Sequence, residues 1–460
     1  MCNDRPQKPT GNAVQASAAQ PKATTNQPGP TGRTSKRRAF ALTNGCGPLL
    51  QANTGEAKPL RQQIFEHVRA SGRAARADVA RALGISAGSV TTLTSELIAN
   101  EWLREVAGPV GAARGPRDTS RGRPPVALEV VTTGPLVAGL KLSDERHSAV
   151  LSDLAGNMIA EATLPGAPEA KPLDKMLDEI DLLLETLLKA AGVNRSRIAA
   201  IGIGLSGIID HETGVVRWSP LLTIPGAKLR SAVEAHTGIA THIDNDANML
   251  TLAELWFGAG RAKSGFIVVT IEGGVGMGMV MNNQLFRGTR GMGMEVGHTK
   301  VQLDGALCRC GRRGCLEAYL ADYALAREAS TALNYGTHNS HATHALLDEL
   351  FAQAKAGNEA AQSIFRRAGR FLSLGLSNLI QIFDPELIIL SGERMQYDYL
   401  YADEVLAEMQ SLTLSDMRSP CRVEIHTWGD FVWARGASAL ALSAVTDAAL
   451  GEPRHIGSAA

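Results

Sequence analysis

The chain has 460 residues, which is too long for one compact domain and suits about three. Its 44% hydrophobic and 20% charged residues are ordinary globular values and argue against wholesale disorder or a fibre. Lys and Arg number 46, as do Asp and Glu, so the net charge of zero points to no polyanion partner. The sequence has neither an apolar run of about 18 residues nor the apolar core of a signal peptide, so we predict a cytoplasmic protein.

The zero net charge conceals two parts of opposite sign. Residues 1–132 hold 18 Lys and Arg against 9 Asp and Glu, whereas residues 133–460 hold 28 against 37. A basic arm on an acidic body is typical of proteins that bind nucleic acid. Residues 1–55 supply most of the excess, and their many prolines and few large apolar residues predict a disordered lead. Charge alone therefore does not identify a DNA-binding domain. Such a domain has to be identified from the pattern of apolar and polar residues.

Residues 56–132 are predicted to form a winged helix-turn-helix. A first helix buries Leu60, Ile64, Phe65 and Val68, a second runs over 77–83 and stops at Gly84, and a third is capped by Ser86. Strands over 102–106 and 126–131 make a hairpin wing, which favours this fold over a generic three-helix fragment. We expect DNA contacts from small polar residues of the third helix and from arginines at the wing tip: Ser89, Thr91, Thr92, Ser95, Arg114, Arg117, Arg121 and Arg123.

Residues 133–460 are predicted to form an α/β body with a largely parallel sheet. Alternating apolar patterns give strands over 136–142, 149–154, 158–163, 198–205, 239–244, 266–271, 387–390 and 422–426, with helices over 173–191, 227–237 and 246–257. The length suits two similar halves with a cleft between them.

Three of the six cysteines lie within eight positions, which is the spacing of a metal site. His298, Cys308, Cys310 and Cys315 offer the nitrogen and sulfur ligands of a closed, structural zinc site. Three free thiols in a loop are the alternative. Gly311 and Gly314 favour a tight ligand-binding knuckle over residues 298–317.

Carboxylate and amide side chains gather at two further places. The run Asp244–Asn248 follows a buried strand and opens a helix, where α/β sheets form their ligand crevice. Helix capping explains one acid of this run but not all of it. Glu295 and Glu317 flank the knuckle, and sets rich in acceptors match the hydroxyl groups of polyols.

These motifs resemble the signature of the ROK family (repressor, open reading frame, kinase) in order and spacing. The residues concerned are Glu295-Val296-Gly297-His298, Cys308-x-Cys310-Gly-x-x-Gly-Cys315-x-Glu317, Asn245-Asp246-Ala247-Asn248 and, in the wing, Gly122-Arg123-Pro124-Pro125. The resemblance covers about residues 60–450. It implies an actin-like, two-lobed body of the sugar-kinase type behind the winged helix of a sugar-responsive repressor.

The resemblance assigns sugar binding to Asn245, Asp246, Glu295, His298 and Glu317. Asp246 would stand where the family's kinases keep their catalytic base, and His298 would serve metal and sugar with one ring nitrogen each. It also implies a homodimer, or a dimer of dimers, that binds a palindromic DNA operator.

The nucleotide-binding loops of the family's kinases are eroded in this sequence. Their Asp-x-Gly-Gly-Thr loop is matched by Gly139–Asp144, which lacks the paired glycines and the threonine. The second loop, Gly273–Gly278, keeps its glycines but lacks a hydroxyl residue, and the third, Ser391–Glu393, is poor in glycine. We therefore expect a repressor of carbohydrate metabolism that is not an enzyme and whose effector is a sugar or phosphosugar. The alternative is a bifunctional ATP-dependent sugar kinase that also binds DNA.

Overall fold

A computed structural model describes residues 45–49, 58–107, 126–332, 341–392, 395, 397–398, 403–414 and 419–451. The arginines predicted at the wing tip (Arg114, Arg117, Arg121 and Arg123) lie outside the described residues, as does Glu393. Within the part of the chain that the structure describes, no helix combines the length and apolarity needed to cross a bilayer.

The predicted winged helix is confirmed. Its elements are α1 (Leu60–Ser71), β1 (Ala74–Ala75), α2 (Arg76–Leu83), α3 (Ala87–Ala99), β2 (Leu103–Ala107) and β3 (Val126–Val130), with the strands antiparallel in the order β1-β3-β2. Gly84 ends α2 in the left-handed conformation, and Ser86 Oγ caps α3 by accepting the Ser89 N–H at 3.0 Å. Ile64, Phe65 and Val68 are fully buried as predicted.

Two expectations for this domain are wrong. Leu60 is 40% exposed, because it is the first residue of α1 and lies at the open end of the helix. Strand β1 was not expected, since two alanines carry no periodic signal. The last residues of the predicted disordered lead also depart from expectation: Gly45–Leu49 are ordered, and the Cys46 side chain is buried.

The body contains two five-stranded sheets with the same topology. The first has the order β10-β7-β4-β5-β6 and the second β13-β12-β11-β14-β15. Each begins with a three-strand antiparallel meander. A fourth strand then pairs in parallel with the first strand of that meander, and a fifth pairs in parallel with the fourth. The expectation of two similar halves is thus met, whereas the expectation of largely parallel sheets is wrong, because both sheets are mixed.

The first lobe contains β4 (Leu136–Leu142), β5 (Arg146–Ser152), β6 (Met158–Pro165), α4 (Leu173–Ala191), β7 (Ile198–Leu205), α5 (Leu229–Thr237) and β10 (Ala240–Asn245), with a short ribbon of β8 (Ile208–Asp210) and β9 (Val215–Trp218). The second contains β11 (Phe266–Ile271), β12 (Val275–Met281), β13 (Gln284–Phe286), α7 (Glu317–Leu320), α8 (Asp322–Ala332), α9 (His341–Lys355), α10 (Glu359–Phe383), β14 (Leu387–Ser391), α11 (Asp403–Leu412) and β15 (Arg422–His426).

Two helices, α6 (Asp246–Phe257) and α12 (Val432–Leu450), pack on each other and on the sheets. Glycines let their backbones approach closely. A Cβ added at Gly202 of β7 would overlap the Ala437 carbonyl oxygen of α12, and one at Gly436 would overlap the Met249 carbonyl oxygen of α6. These glycines set how closely α12 packs on the sheet and on α6.

Replacing Gly202 with alanine is expected to lower the free energy of unfolding by about 1–3 kcal/mol, because the new methyl group must push α12 away from the sheet. Gly134→Ala is the matched control, since a Cβ there meets nothing within 4 Å. Urea denaturation of both variants measures the difference. Equal midpoints for the two variants would contradict the role of this contact.

His426, at the end of β15, is buried between two carboxylates. Its Nδ1 lies 2.6 Å from Glu254 Oε1 of α6, and its Nε2 lies 3.0 Å from Glu424 Oε2. Trp428 Nε1–H donates to the same Glu254 oxygen at 2.5 Å. Burial by itself lowers the pKa of His426, but the hydrogen bonds and charges of Glu254 and Glu424 outweigh it and raise the pKa. This ion cluster holds α6 to the edge of the second sheet.

The stabilisation by His426 is expected to depend on pH. Because the folded-state pKa is raised, the contribution is fully present below about pH 6.5, the value of an unperturbed histidine, and is lost as the pH rises through the raised pKa. The free energy of unfolding of the unaltered chain minus that of His426→Gln should therefore be largest near about pH 6 and fall at higher pH. Urea denaturation across this range measures it, and a difference that grows with pH would refute the assignment.

Candidate functional site

The four predicted metal ligands converge. His298 Nδ1 or Nε2 and the sulfur atoms of Cys308, Cys310 and Cys315 all lie within 4.8 Å of one another. His298 Nδ1 is 3.7 Å from Cys308 Sγ, and Cys310 Sγ is 3.7 Å from Cys315 Sγ. Two sulfurs bound to a tetrahedral zinc ion at 2.3 Å are separated by about 3.8 Å. The spacing and the donor set therefore fit such an ion.

The backbone of the knuckle has a conformation that its glycines permit. Gly311 and Gly314 have φ values of +81° and +74°, in the left-handed region. The Gly311 N–H donates to the Cys308 carbonyl at 3.0 Å, and the Cys308 N–H donates to the Arg312 carbonyl at 2.8 Å. This tight turn presents Cys308 and Cys310 on the same side, as the sequence pattern predicts.

The surroundings of the knuckle act differently on its thiols, since burial raises the pKa of Cys308 to about 12 whereas neighbouring groups favour negative charge on Cys310. Lys300 Nζ donates to Cys315 Sγ at 2.8 Å. Burial opposes ionisation of Cys310, but hydrogen bonds from the Arg312 backbone and from the thiols of Cys308 and Cys315, with the charge of Lys300, outweigh it and lower the Cys310 pKa. Thiolates are the form that binds metal. Cys310 is thus the thiol best prepared to bind a cation.

The end of β10 and the start of α6 hold Asp246 at the carboxyl edge of the first sheet. Asn245 is the N-cap of α6, since its Oδ1 accepts the Asn248 N–H at 2.8 Å. Asp246 Oδ2 accepts a hydrogen bond from Ser206 Oγ at 2.5 Å. Both side chains keep part of their surface exposed, so a solute has access to them.

Asp244 has a supporting role instead. It is buried, and it accepts hydrogen bonds from Asn248 Nδ2 at 2.8 Å and from Arg287 Nε at 2.6 Å. These two bonds fix the strand end and the helix start relative to the loop after β13. Ser206 and Arg287 were not foreseen from the sequence, although Ser206 directly follows a buried strand, as Asp246 does.

Glu295 connects the predicted sugar-binding residues electrostatically. Glu295 keeps exposed surface, yet desolvation raises the pKa of its carboxyl, and the charges of Asp246 and Glu317 raise it further while His298 opposes them. Glu295 is therefore within electrostatic range of Asp246, His298 and Glu317. The structure brings together acceptors from both lobes, which suits a ligand with several hydroxyl groups.

Glu317 connects the acidic cleft with the knuckle. Its Oε2 accepts the Val275 N–H at 3.4 Å, and its Oε1 accepts from Tyr323 Oη at 3.4 Å and lies 3.5 Å from Cys308 Sγ. Tyr323 Oη also lies 3.5 Å from Cys308 Sγ. The knuckle thus fixes one acceptor of the cleft directly.

The glycine-rich stretch predicted as a second nucleotide loop is mostly strand. Gly276 and Gly278 lie in β12, where a Cβ on Gly278 would overlap Thr251 Oγ1 of α6. Its glycines therefore serve packing between β12 and α6, and the expectation of a loop is wrong.

The predicted DNA-contacting side of α3 is accessible. Thr91, Thr92 and Ser95 are exposed, and Ser89 is half-buried. Thr91 Oγ1 donates to the Ala87 carbonyl and Ser95 Oγ to the Thr91 carbonyl, each at 2.9 Å, so both hydroxyl oxygens can still accept.

The fold and the site define a two-lobed α/β protein with a knuckle of four possible metal ligands, a set of acidic side chains contributed by both lobes and an N-terminal winged helix. The model of the ROK family matches residues 137–444, and the chain belongs to that family. It is similar to the xylose repressor of Caldicellulosiruptor bescii, with 27% identity over 80% of this chain and 91% of that protein. The DNA-binding transcriptional repressor Mlc of Escherichia coli is 28% identical over 75% of this chain and 81% of its own length.

Kinases are also among the relatives. The glucokinase of Thermotoga maritima is 34% identical over 47% of this chain and 69% of its own length. A crystal structure of a ROK family transcriptional regulator, described as a homologue of the E. coli MLC protein, superposes with a TM-score of 0.69 at 23% identity. It covers 85% of this chain and 96% of its own, which confirms the expected fold for winged helix and body together.

Proposed function

We propose that this protein is a DNA-binding transcriptional repressor of carbohydrate metabolism whose affinity for DNA is controlled by a sugar or sugar derivative. One observation carries the proposal: a winged helix stands ahead of a body that retains the acidic sugar-type cleft. The matches to a xylose repressor and to Mlc, which cover 91% and 81% of those proteins, support it. The sugar is held by Asn245, Asp246, Glu295, His298 and Glu317, and the knuckle ligands hold a structural zinc ion.

The residues around the stretch Gly139–Asp144, which matches the first nucleotide loop of the kinases, support the absence of kinase activity. Lys141 Nζ lies 3.6 Å above the Trp433 ring, so a side chain of β4 is stacked on α12. Arg146, the first residue of β5, pairs with Asp430 in the loop before α12 at 2.8 Å. Side chains thus occupy the approach where a phosphate needs free backbone N–H groups. The protein binds sugar without a nucleotide beside it.

In this mechanism, the cleft residues bind and orient the sugar while the winged helix holds DNA. The sugar favours one arrangement of the two lobes, because its acceptors come from both: Asp246 from the first and Glu295 and Glu317 from the second. Two copies of the chain bind a palindromic operator, so a change of lobe arrangement alters the distance between their winged helices. Affinity for the operator then falls.

Operator selection from a randomised double-stranded DNA pool, followed by gel shifts with D-xylose, D-glucose and D-glucose 6-phosphate, tests the proposal. We expect a defined binding sequence and at least one sugar that weakens binding. Failure to select any sequence would refute DNA binding, and unchanged gel shifts with every sugar would refute sugar control.

A bifunctional sugar kinase is the second candidate, favoured by the Asp246 carboxylate beside Ser206 and by the similarity to glucokinases. Incubation of the protein with ATP, Mg²⁺ and a sugar that it binds decides between the two. We expect no sugar phosphate to form, and its formation would establish the kinase.

A further inference from the structure

The segment Gly45–Leu49 connects the winged-helix domain with the body. The Cys46 N–H donates to the Arg69 carbonyl in the last turn of α1 at 3.0 Å. The next residue, Gly47, donates its N–H to the Trp256 carbonyl near the end of α6 at 2.8 Å. Two consecutive residues therefore bridge one helix of the DNA-binding domain and one helix of the body.

Arg261, which follows α6, completes this bridge. It is buried, its Nε donates to the Gly47 carbonyl at 2.9 Å, and its guanidinium also donates to the Ala70 carbonyl of α1. The Leu49 N–H donates to the carbonyl of Arg261 at 2.7 Å. Hydrogen bonds to a charged and buried donor are among the stronger ones in proteins.

The side chain of Arg69, in the last turn of α1, connects that helix with α6 and α12. Its guanidinium lies 5.2 Å from the Phe65 ring centre and 4.6 Å from that of Trp256. Its Nη1 donates to Thr446 Oγ1 of α12 at 2.8 Å. The last turn of α1 is thus packed against both helices that lie between the two sheets.

The backbone path of the segment depends on its two glycines. Gly45 and Gly47 have φ values of +93° and +106°, which L side chains rarely adopt. A Cβ at Gly45 would lie 2.6 Å from the Ala70 carbonyl oxygen, and one at Gly156 of the body would overlap Cys46 Sγ. Cys46 is 2% exposed, so the middle of the segment is enclosed between the winged-helix domain and the body, whereas Leu49 is exposed.

Helix α6 links this bridge with the acidic cleft. It begins at Asp246, whose carboxylate lies in the cleft, and it ends at Phe257, beside the bridge. Its 12 residues span about 18 Å, and every residue from Ala247 to Phe257 is buried. A closely packed helix moves as a rigid body, so a shift at Asp246 displaces Trp256 as well.

We propose that Gly45–Leu49, the end of α1 and the end of α6 form a joint through which α6 transmits the state of the effector cleft to the winged-helix domain. The proposal rests on the proposed function, because it names the route by which a bound sugar alters DNA binding. It assigns the segment ahead of the winged helix a role in regulation and not in DNA contact.

Gly47→Ala tests the joint. The added methyl group meets its nearest atoms, in Arg69 and Trp256, at 3.9 and 4.0 Å, so it fits, and only the backbone conformation is disfavoured. Gly192→Ala is the matched control, since Gly192 also has a positive φ (+66°) and open space but lies at the end of α4. The readouts are operator affinity with and without each of the three sugars above, and sugar affinity by calorimetry.

We expect a bound sugar to lower the operator affinity of the unaltered chain by a factor of about 5–150. In Gly47→Ala that factor falls below about 2 while sugar affinity is unchanged, and Gly192→Ala keeps the original factor. If a sugar lowered the operator affinity of Gly47→Ala by the same factor as that of the unaltered chain, the proposed joint would be wrong, because the segment would then have only a structural role.

Hydrogen exchange separates failure of the joint from failure of the proposed function, since it needs no sugar. In Gly47→Ala, amide exchange should accelerate at residues 69–72 and 254–258 as well as at 45–49, because the bridge holds both helix ends. Acceleration confined to 45–49 would overturn the joint, even if no sugar binds. Thr446→Val is the second variant; it removes the bond from Arg69 together with the bond that the Thr446 hydroxyl donates to the Leu442 carbonyl within α12, and it is expected to accelerate exchange at residues 69–72.

Discussion

Replacing Cys310 with serine is expected to remove the metal from the protein and to abolish its response to the effector. The knuckle has few apolar contacts of its own, and a structural zinc site contributes roughly 10–16 kcal/mol of binding free energy to the fold around it. Loss of one thiolate therefore lowers metal occupancy by orders of magnitude. Without the metal, the His298 ring and Glu317 are no longer held in the cleft. Elemental analysis and gel shifts measure the two effects.

Cys421→Ser is the matched control for this substitution. The Cys421 thiol is half-buried just before β15, where it donates to the Pro385 carbonyl at 3.4 Å, and it belongs to no ligand cluster. The control should keep one zinc ion per chain and the full sugar response. If Cys310→Ser kept both as well, the ligand set would be wrong.

Replacing Asp246 with asparagine is expected to weaken sugar binding by roughly 10- to 150-fold, because a hydrogen bond to a charged group contributes about 1.5–3 kcal/mol. The amide can still accept from Ser206, so the fold is preserved. Operator binding without sugar should be unchanged, which makes the variant a repressor that sugar no longer releases. Calorimetry and gel shifts give the two affinities.

Asp178→Asn controls for the loss of one negative charge, since Asp178 is exposed on α4 and pairs only with Lys175 within its helix. It should bind sugar as the unaltered chain does. Full sugar affinity in Asp246→Asn would remove Asp246 from the site.

The sequence predicts elements well where one local pattern decides the outcome. Helix α4 and strand β7 begin and end where their apolar periodicity predicts, because each buries a continuous stripe or run. Strand β12 was not predicted, because its glycines make it look like a loop. They are needed for close packing against α6, and the local sequence pattern does not show that contact. Cys46 was misjudged for the same reason, as its neighbours come from α1, α6 and the turn at Gly156.

The sequence predicted which residues could bind a metal or a sugar, but not which residues hold them in position. Cysteine and histidine spacing indicates a metal centre, since ligand types are few and the loop between them is short. Ser206, Arg287 and Tyr323 orient the acids through single hydrogen bonds between side chains, and one serine, arginine or tyrosine in a sequence carries no signal for such a bond. The stacking of Lys141 on Trp433 depends on how α12 crosses β4, which only the folded chain reveals.

The contact between Glu317 and the Cys308 thiol couples the metal-ligand knuckle to the sugar-binding residues, so a change in one affects the other. If the proposed function holds, the protein releases the operator only when sugar and zinc are both bound. A cell starved of zinc would keep the regulated genes silent even when the sugar is abundant. Expression of a carbohydrate pathway would then depend on metal nutrition as well as on carbon supply.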